Sequence, residues 1–94
     1  MMYAIAFDLD TETLRQSYPN SSWNNAYGDI RKVLEPLGFN WQQGSVYFGD
    51  EKMTAVKCVL AAQAVSRDLS WFKASVRDIR MLRIEEMNDL EPAL

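Results

Sequence analysis

The sequence predicts an α+β domain in which two helices cover one face of a four-stranded antiparallel sheet. Three observations lead there. Residues Tyr3 to Leu9 alternate large and small side chains at period two, as a half-buried strand does. Two later stretches, Trp23 to Leu37 and Met53 to Ala64, repeat apolar residues at three- and four-residue steps, as a helix with one buried face does. Short apolar segments around Gly44 and from about Asp78 to Glu85 supply the remaining strands.

Ninety-four residues with three Trp, four Tyr and four Phe suffice for one packed core, so a single domain over residues 1–94 is expected, small enough that self-association would help it. The one cysteine, Cys58, sits in an apolar stretch of a predicted helix, where it reads as a small buried hydrophobe rather than half of an intrachain disulfide. A reducing, cytoplasmic compartment is the expected location. The apolar start, Met1 to Phe7, is too short for a signal-peptide core, and no apolar run approaches the ~20 residues that span a bilayer, so no membrane association is expected.

A net charge of −3 argues against gripping nucleic acid over a broad basic surface, because such affinity comes mainly from neutralised phosphates; any contact with RNA has to be local. The chain has no histidine, which excludes Ser-His-Asp triads, His acid/base pairs and His-ligated zinc. Acid/base or metal chemistry must rest on carboxylates.

Taken in order, the first strand puts Tyr3, Ile5, Phe7 and Leu9 toward the helices and Ala4, Ala6 and Asp8 on the open face. Asp10 to Asn20 is polar, with Leu14 and Tyr18 four apart, and reads as a connection containing one or two helical turns before Pro19. The first main helix follows Ser21 or Ser22 as N-cap, carries Trp23, Ala26, Tyr27, Ile30, Val33, Leu34 and Leu37, and ends at Gly38 after an irregular turn at Pro36. Phe39 to Gln43 and Ser45 to Phe48 read as a hairpin around Gly44, with Val46 and Phe48 toward the helices and Ser45 and Tyr47 on the open side. Asp50 is the expected cap of the second main helix, whose stripe is Met53, Val56, Val59, Leu60 and Ala64 and which ends near Leu69. Trp71 and Phe72 bridge to the last strand, and an acidic tail follows from Glu86.

The order βαββαβ is that of a ferredoxin-like domain, with strands arranged 4-1-3-2. Strand one then lies between strands four and three and runs antiparallel to both. The end of strand one at Asp8 therefore meets the beginnings of strand three at Ser45 and of strand four near Asp78. Two carboxylates and a hydroxyl converge at one edge of the sheet.

Paired carboxylates can divide acid and base roles or hold a divalent cation, and either suits phosphodiester cleavage without histidine. The alternative is structural: Asp8 caps the following segment and Asp78 pairs with Arg77 or Arg80. The run Phe7-Asp8-Leu9-Asp10-Thr11 is similar to the opening motif of haloacid-dehalogenase-type phosphatases. That motif places Gly before its Thr, however, and needs a doubly wound domain for which this chain is too short. An RNA-recognition motif shares the strand order but needs exposed aromatics on its central strands, and only Tyr47 is expected there. Lys73, Arg77, Arg80 and Arg83 form the one basic cluster, either balanced by Glu85 and Glu86 or binding phosphate beside the carboxylates.

Five segments in order, Ala6-Phe7-Asp8-Leu9, Leu37-Gly38-Phe39, Gln43-Gly44-Ser45-Val46-Tyr47, Ser75-Val76-Arg77-Asp78-Ile79-Arg80 and Arg83-Ile84-Glu85, together resemble the virulence-associated protein D (VapD) family across nearly the whole chain. The resemblance implies a small bacterial endoribonuclease of ferredoxin-like fold, dimeric, similar in design to the CRISPR-associated adaptation nucleases, and in some members a toxin with a small antitoxin partner. It implies that Asp8 is the principal catalytic carboxylate, with Ser45 and Asp78 in the active region. Tyr47, Arg77 and Arg80 are then the expected RNA contacts. Mg²⁺ or Mn²⁺ is the candidate cofactor, held at Asp8 with Asp10 as a further ligand, and no organic cofactor is expected. The rival expectation is a catalytically inactive RNA- or protein-binding module of the same fold.

Overall fold

Alternation in the first residues produces the strand expected of it. In the computed structural model, which describes residues 1–94, β1 spans Met2–Leu9 and buries Ile5, Phe7 and Leu9 on one face. The chain continues through α1 (Thr11–Ser17), α2 (Ala26–Leu34), β2 (Phe39–Gln43), β3 (Val46–Gly49), α3 (Ala55–Asp68), α4 (Phe72–Ser75) and β4 (Val76–Ile84). The four strands lie in the order β2-β3-β1-β4 with every neighbouring pair antiparallel, as the ferredoxin-like reading requires. No helix is long and apolar enough to cross a membrane.

The segment after β1 is more than a connection. Leu14 of α1 has no exposed surface and belongs to the main core cluster. Tyr18, just after α1, packs at a tilt of 56° against Trp71 with ring centroids 5.3 Å apart and donates a hydrogen bond to Asp29. These contacts tie α1 to α2 and to the entrance of α4. In α2 the buried residues are Ala26, Ile30 and Leu34, one per turn, while Tyr27 and Leu37 at the edges of the expected stripe are exposed. Trp23 begins a separate 3-10 turn, Trp23–Asn25, ahead of the helix. The first main helical segment ends as the sequence suggests, with Gly38 at φ 97° after the turn Glu35–Leu37, where a Cβ would also lie 2.9 Å from Asp50 Oδ2.

The β2–β3 hairpin corrects the expected facing. Tyr47 pairs with Ile5 and is only 2% exposed on the helix side, stacked near Phe7. Val46 and Phe48, opposite Ala6 and Ala4, occupy the open face instead. Val46-Tyr47-Phe48 is apolar at every position, so its own sequence carries no phase; the ladder to β1 decides it. Gly44, at φ 49°, makes the turn, braced by a 2.8 Å hydrogen bond from Trp41 Nε1 to its carbonyl, and an irregularity between Trp41 and Gln43 shifts the register of β2.

Helix α3 also departs from expectation. Thr54, not Asp50, is its cap, its Oγ1 accepting the Lys57 N–H at 3.1 Å; Asp50 shapes the preceding turn by accepting the Lys52 N–H at 2.9 Å. The inward face is Cys58, Ala61, Ala64 and Val65, while Val56, Val59 and Leu60 point outward. Small side chains at Cys58, Ala61 and Ala64 let the helix approach a sheet surface already filled by Ile5, Phe7 and Tyr47. Apolar residues on both sides of α3 made the two faces indistinguishable by periodicity.

Replacing Leu14 by Ala should cost about 2–5 kcal/mol, the range for emptying a fully buried leucine site, and Leu60→Ala should cost less than about 0.5 kcal/mol, as at an exposed position. Urea denaturation of both variants measures this, and a near-neutral Leu14→Ala would mean that α1 is not part of the core.

Candidate active site

The ladder between β1 and β4 runs in step from Met2 opposite Ile84 to Asp8 opposite Asp78, then jumps, so that Leu9 faces Val76. Arg77 is the extra residue at this bulge. Past it, the Asp10 N–H donates to the Ser75 carbonyl at 2.8 Å, so the pairing resumes. Ser75 is itself fully buried and fixed by a 2.8 Å hydrogen bond from its hydroxyl to the Trp71 carbonyl. A bulge bends its strand and re-aims the extra side chain. Here it turns a residue that regular alternation would place with Ile79 and Met81 on the helix side toward the two aspartates ending β1.

Arg77 Nη2 donates to Asp10 Oδ1 at 3.2 Å, and Nη1 lies 3.6 Å from Asp8 Oδ2. The first contact is a hydrogen bond; the second is an ion pair beyond hydrogen-bond length. Asp10 also accepts a hydrogen bond from the Thr13 hydroxyl, one turn into α1. Asp8 and Asp78 are direct cross-strand partners on the open face, an arrangement of like charges that costs stability unless countered. Arg77 counters it at Asp8, and Arg80 counters it at Asp78, its Nε 3.1 and 3.2 Å from the two carboxylate oxygens. All these side chains are well exposed, so their pairing contributes little to stability, and the contacts of Arg77 with Asp8 and of Arg80 with Asp78 are easily exchanged for contacts with a ligand.

The hydrogen bond from Thr13 is the main reason the Asp10 carboxyl titrates below the ordinary aspartate value of 3.8; desolvation opposes it, and the hydrogen bond from Arg77 adds a smaller lowering. On the other side of the sheet, burial raises the Cys58 thiol and the Tyr47 hydroxyl above their usual ranges, the latter against the pull of Arg31.

The sequence argument is therefore met for Asp8 and Asp78, which stand face to face, with Arg77 and Arg80 beside them. Ser45 meets β1 through its carbonyl, which accepts the Phe7 N–H at 3.1 Å. That register sets it opposite Phe7, in the row of Tyr47, and not on the open face with Asp8. Tyr47, buried in the core, has no ring surface to offer a base. The only aromatic among the open-face partners of β1 is Phe48, half-buried opposite Ala4. Thr13 was missed: its one signal was its place three residues after Asp10, the spacing of a side-chain contact at a helix start.

No three His, Cys, Asp or Glu side chains gather where they could hold a metal ion. Asp8 and Asp10 offer oxygen ligands of the kind Mg²⁺ and Mn²⁺ take, but an ion there would need water or phosphate oxygens for most of its shell and would have to displace Arg77.

Residues 1–91 match the family model described as CRISPR associated protein Cas2. The chain is 53% identical over 93 residues to the endoribonuclease VapD homolog of Helicobacter pylori (strain ATCC 700392 / 26695), which covers 99% of this chain and 96% of that protein. It is 48% identical over 93 residues to endoribonuclease VapD 2 of Riemerella anatipestifer, covering 99% of both. The chain belongs to the VapD family. Endoribonuclease VapD of Dichelobacter nodosus is 43% identical over 88 residues, covering 94% of this chain and 91% of that protein. This VapD-family chain thus spans nearly the full length of its relatives, so the site at the end of β1 lies within the matched region.

Because its folded-state pKa is lowered, Asp10 favours the folded state above pH 3.8, and that contribution is lost as the pH falls through the lowered value. Carboxyl ¹³C NMR should show Asp10 titrating below 3.8, and Thr13→Val should move its midpoint upward. An unchanged midpoint in Thr13→Val would remove the hydroxyl as the cause.

Proposed function

We propose that this chain is an endoribonuclease in which Asp8 is the catalytic carboxylate and Arg77 and Arg80 receive the phosphate. The observation that carries the reading is an exposed carboxylate held in register beside two arginines on an open sheet face, in a chain with no histidine. Asp8 accepts the proton of the ribose 2′-hydroxyl; the 2′-oxygen forms its bond to phosphorus while the bond from phosphorus to the 5′-oxygen breaks. The departing oxygen takes its proton from water. Charge builds on the equatorial phosphoryl oxygens, where a guanidinium is worth most because it is already oriented. Asp78, opposite Asp8, holds Arg80 on the same face.

The protein is further proposed to be a cytoplasmic homodimeric toxin checked by a small antitoxin protein. The open face supports pairing: Leu82 is exposed on it, with Val46 and Phe48 half-buried nearby, and no layer covers them. Pairing there would bring two Asp8 residues to one cleft. A single buried, unpaired cysteine suits a reducing compartment.

The test is cleavage of an end-labelled structured RNA by wild type and a folded Asp8→Asn variant, each with Mg²⁺, Mn²⁺ or EDTA. Internal cuts leaving 2′,3′-cyclic phosphate ends, lost in Asp8→Asn, are expected, and persistence in EDTA would mean that no divalent ion is required. Equal cutting by both proteins would remove Asp8 from the site, and no cutting by wild type under any condition would leave a binding module. Sedimentation of the same preparation reports the dimer, and growth arrest on induced expression, relieved by Asp8→Asn, reports the toxin.

A further inference from the structure

We infer that Asp10 is a positioning residue for Arg77, and that together with Thr13 it forms a small bracket presenting the guanidinium to the scissile phosphate beside Asp8. This inference rests on the reading of Asp8 as the catalytic carboxylate.

The two aspartates ending β1 are chemically alike, yet the fold treats them differently. Both oxygens of Asp10 are engaged, Oδ1 by Arg77 at 3.2 Å and Oδ2 by the Thr13 hydroxyl. Asp8 has only the ion pair to Arg77 at 3.6 Å and faces the open side of the sheet. A carboxylate occupied on both oxygens is a poor base and a poor ligand; one without hydrogen bonds is free to accept a proton. Asp10 therefore holds, and Asp8 acts.

What Asp10 holds is set by the backbone. Arg77 is the unpaired residue of the β4 bulge, so no ladder partner fixes the direction of its side chain. A long, exposed arginine in that position has many rotamers, and the loss of this freedom on binding phosphate would weaken its effect in the transition state. The hydrogen bond to Asp10 selects one direction in advance. Asp10 in turn is held by its backbone bond to buried Ser75 and by Thr13 from α1, whose Leu14 is locked in the core. The bracket so links the guanidinium to the rigid part of the molecule. Its second Nη, at ion-pair distance from Asp8, can turn to a phosphoryl oxygen without breaking the bond to Asp10.

The test is a double-mutant cycle in single-turnover RNA cleavage with Asp10→Ala, Arg77→Ala and the double variant, alongside wild type and Asp8→Asn. Arg77→Ala should lower the cleavage rate by about 100-fold, in line with loss of one charge-stabilising donor. Asp10→Ala should lower it by roughly tenfold with RNA affinity within about twofold, and should have almost no further effect in the Arg77→Ala background. Thr13→Val, which leaves Asp10 and the strand intact, should give a smaller loss that is also absent without Arg77. An equal loss from Asp10→Ala in both backgrounds would overturn the inference and give Asp10 a role of its own, such as a metal ligand. A full rate in Asp10→Ala would overturn it as well. The Asp8→Asn lane keeps the two readings apart: a dead Asp8→Asn with an additive cycle overturns only the bracket, whereas an active Asp8→Asn removes the catalytic site itself and the bracket with it.

Discussion

The pairing of β1 with β4 fixes nearly everything that follows. It aligns seven consecutive residue pairs, from Met2 opposite Ile84 to Asp8 opposite Asp78, and then admits one extra residue. A slip by a single position would exchange the faces of β4, sending Asp78 and Arg80 toward the helices and Ile79 and Met81 toward solvent. The hydrophobic face prevents that slip: Ile5, Phe7 and Leu9 are buried, and Phe7 packs edge-on against Phe72 with centroids 5.9 Å apart. Core packing on one side of the sheet therefore sets the distances between charges on the other.

The site is thinly held by its own interactions. Exposed ion pairs contribute little, and two opposed aspartates cost something. What keeps them together is the backbone ladder, anchored in buried residues such as Leu14, Ser75 and Tyr47. That division suits a site that exchanges its internal pairs for contacts with a polyanion. Arg77 loses little on turning from Asp8 while it keeps Asp10, Arg80 loses little on leaving Asp78, and the strands do not have to move.

The features legible in the sequence were those that depend on backbone order. The period-two run of β1, the helical spacing of Ala26, Ile30 and Leu34, and the element order led to the right sheet arrangement and so to Asp8 opposite Asp78. Features depending on phase were not legible. Val46-Tyr47-Phe48 is apolar throughout, so the inward position of Tyr47 follows only from its pairing with Ile5. Helix α3 carries apolar side chains on both faces, and the small set, Cys58, Ala61 and Ala64, turned inward because the sheet beneath was already full. The bulge at Arg77 had no mark at all: no glycine or proline sits there, and one extra residue in a ladder leaves the composition unchanged. Asp10 was visible as a carboxylate two residues after Asp8, but its occupation by Thr13 and Arg77 required the turn into α1.

The most direct test of where RNA engages this fold is the backbone amide spectrum of ¹⁵N-labelled protein titrated with an RNA made uncleavable by 2′-O-methyl groups. Shifts concentrated at residues 8–10 and 76–80, with the outer face of α3 undisturbed, are the predicted result. Shifts confined to α2 and α3, with the ends of β1 and β4 unmoved, would contradict an RNA site built on the β1–β4 register.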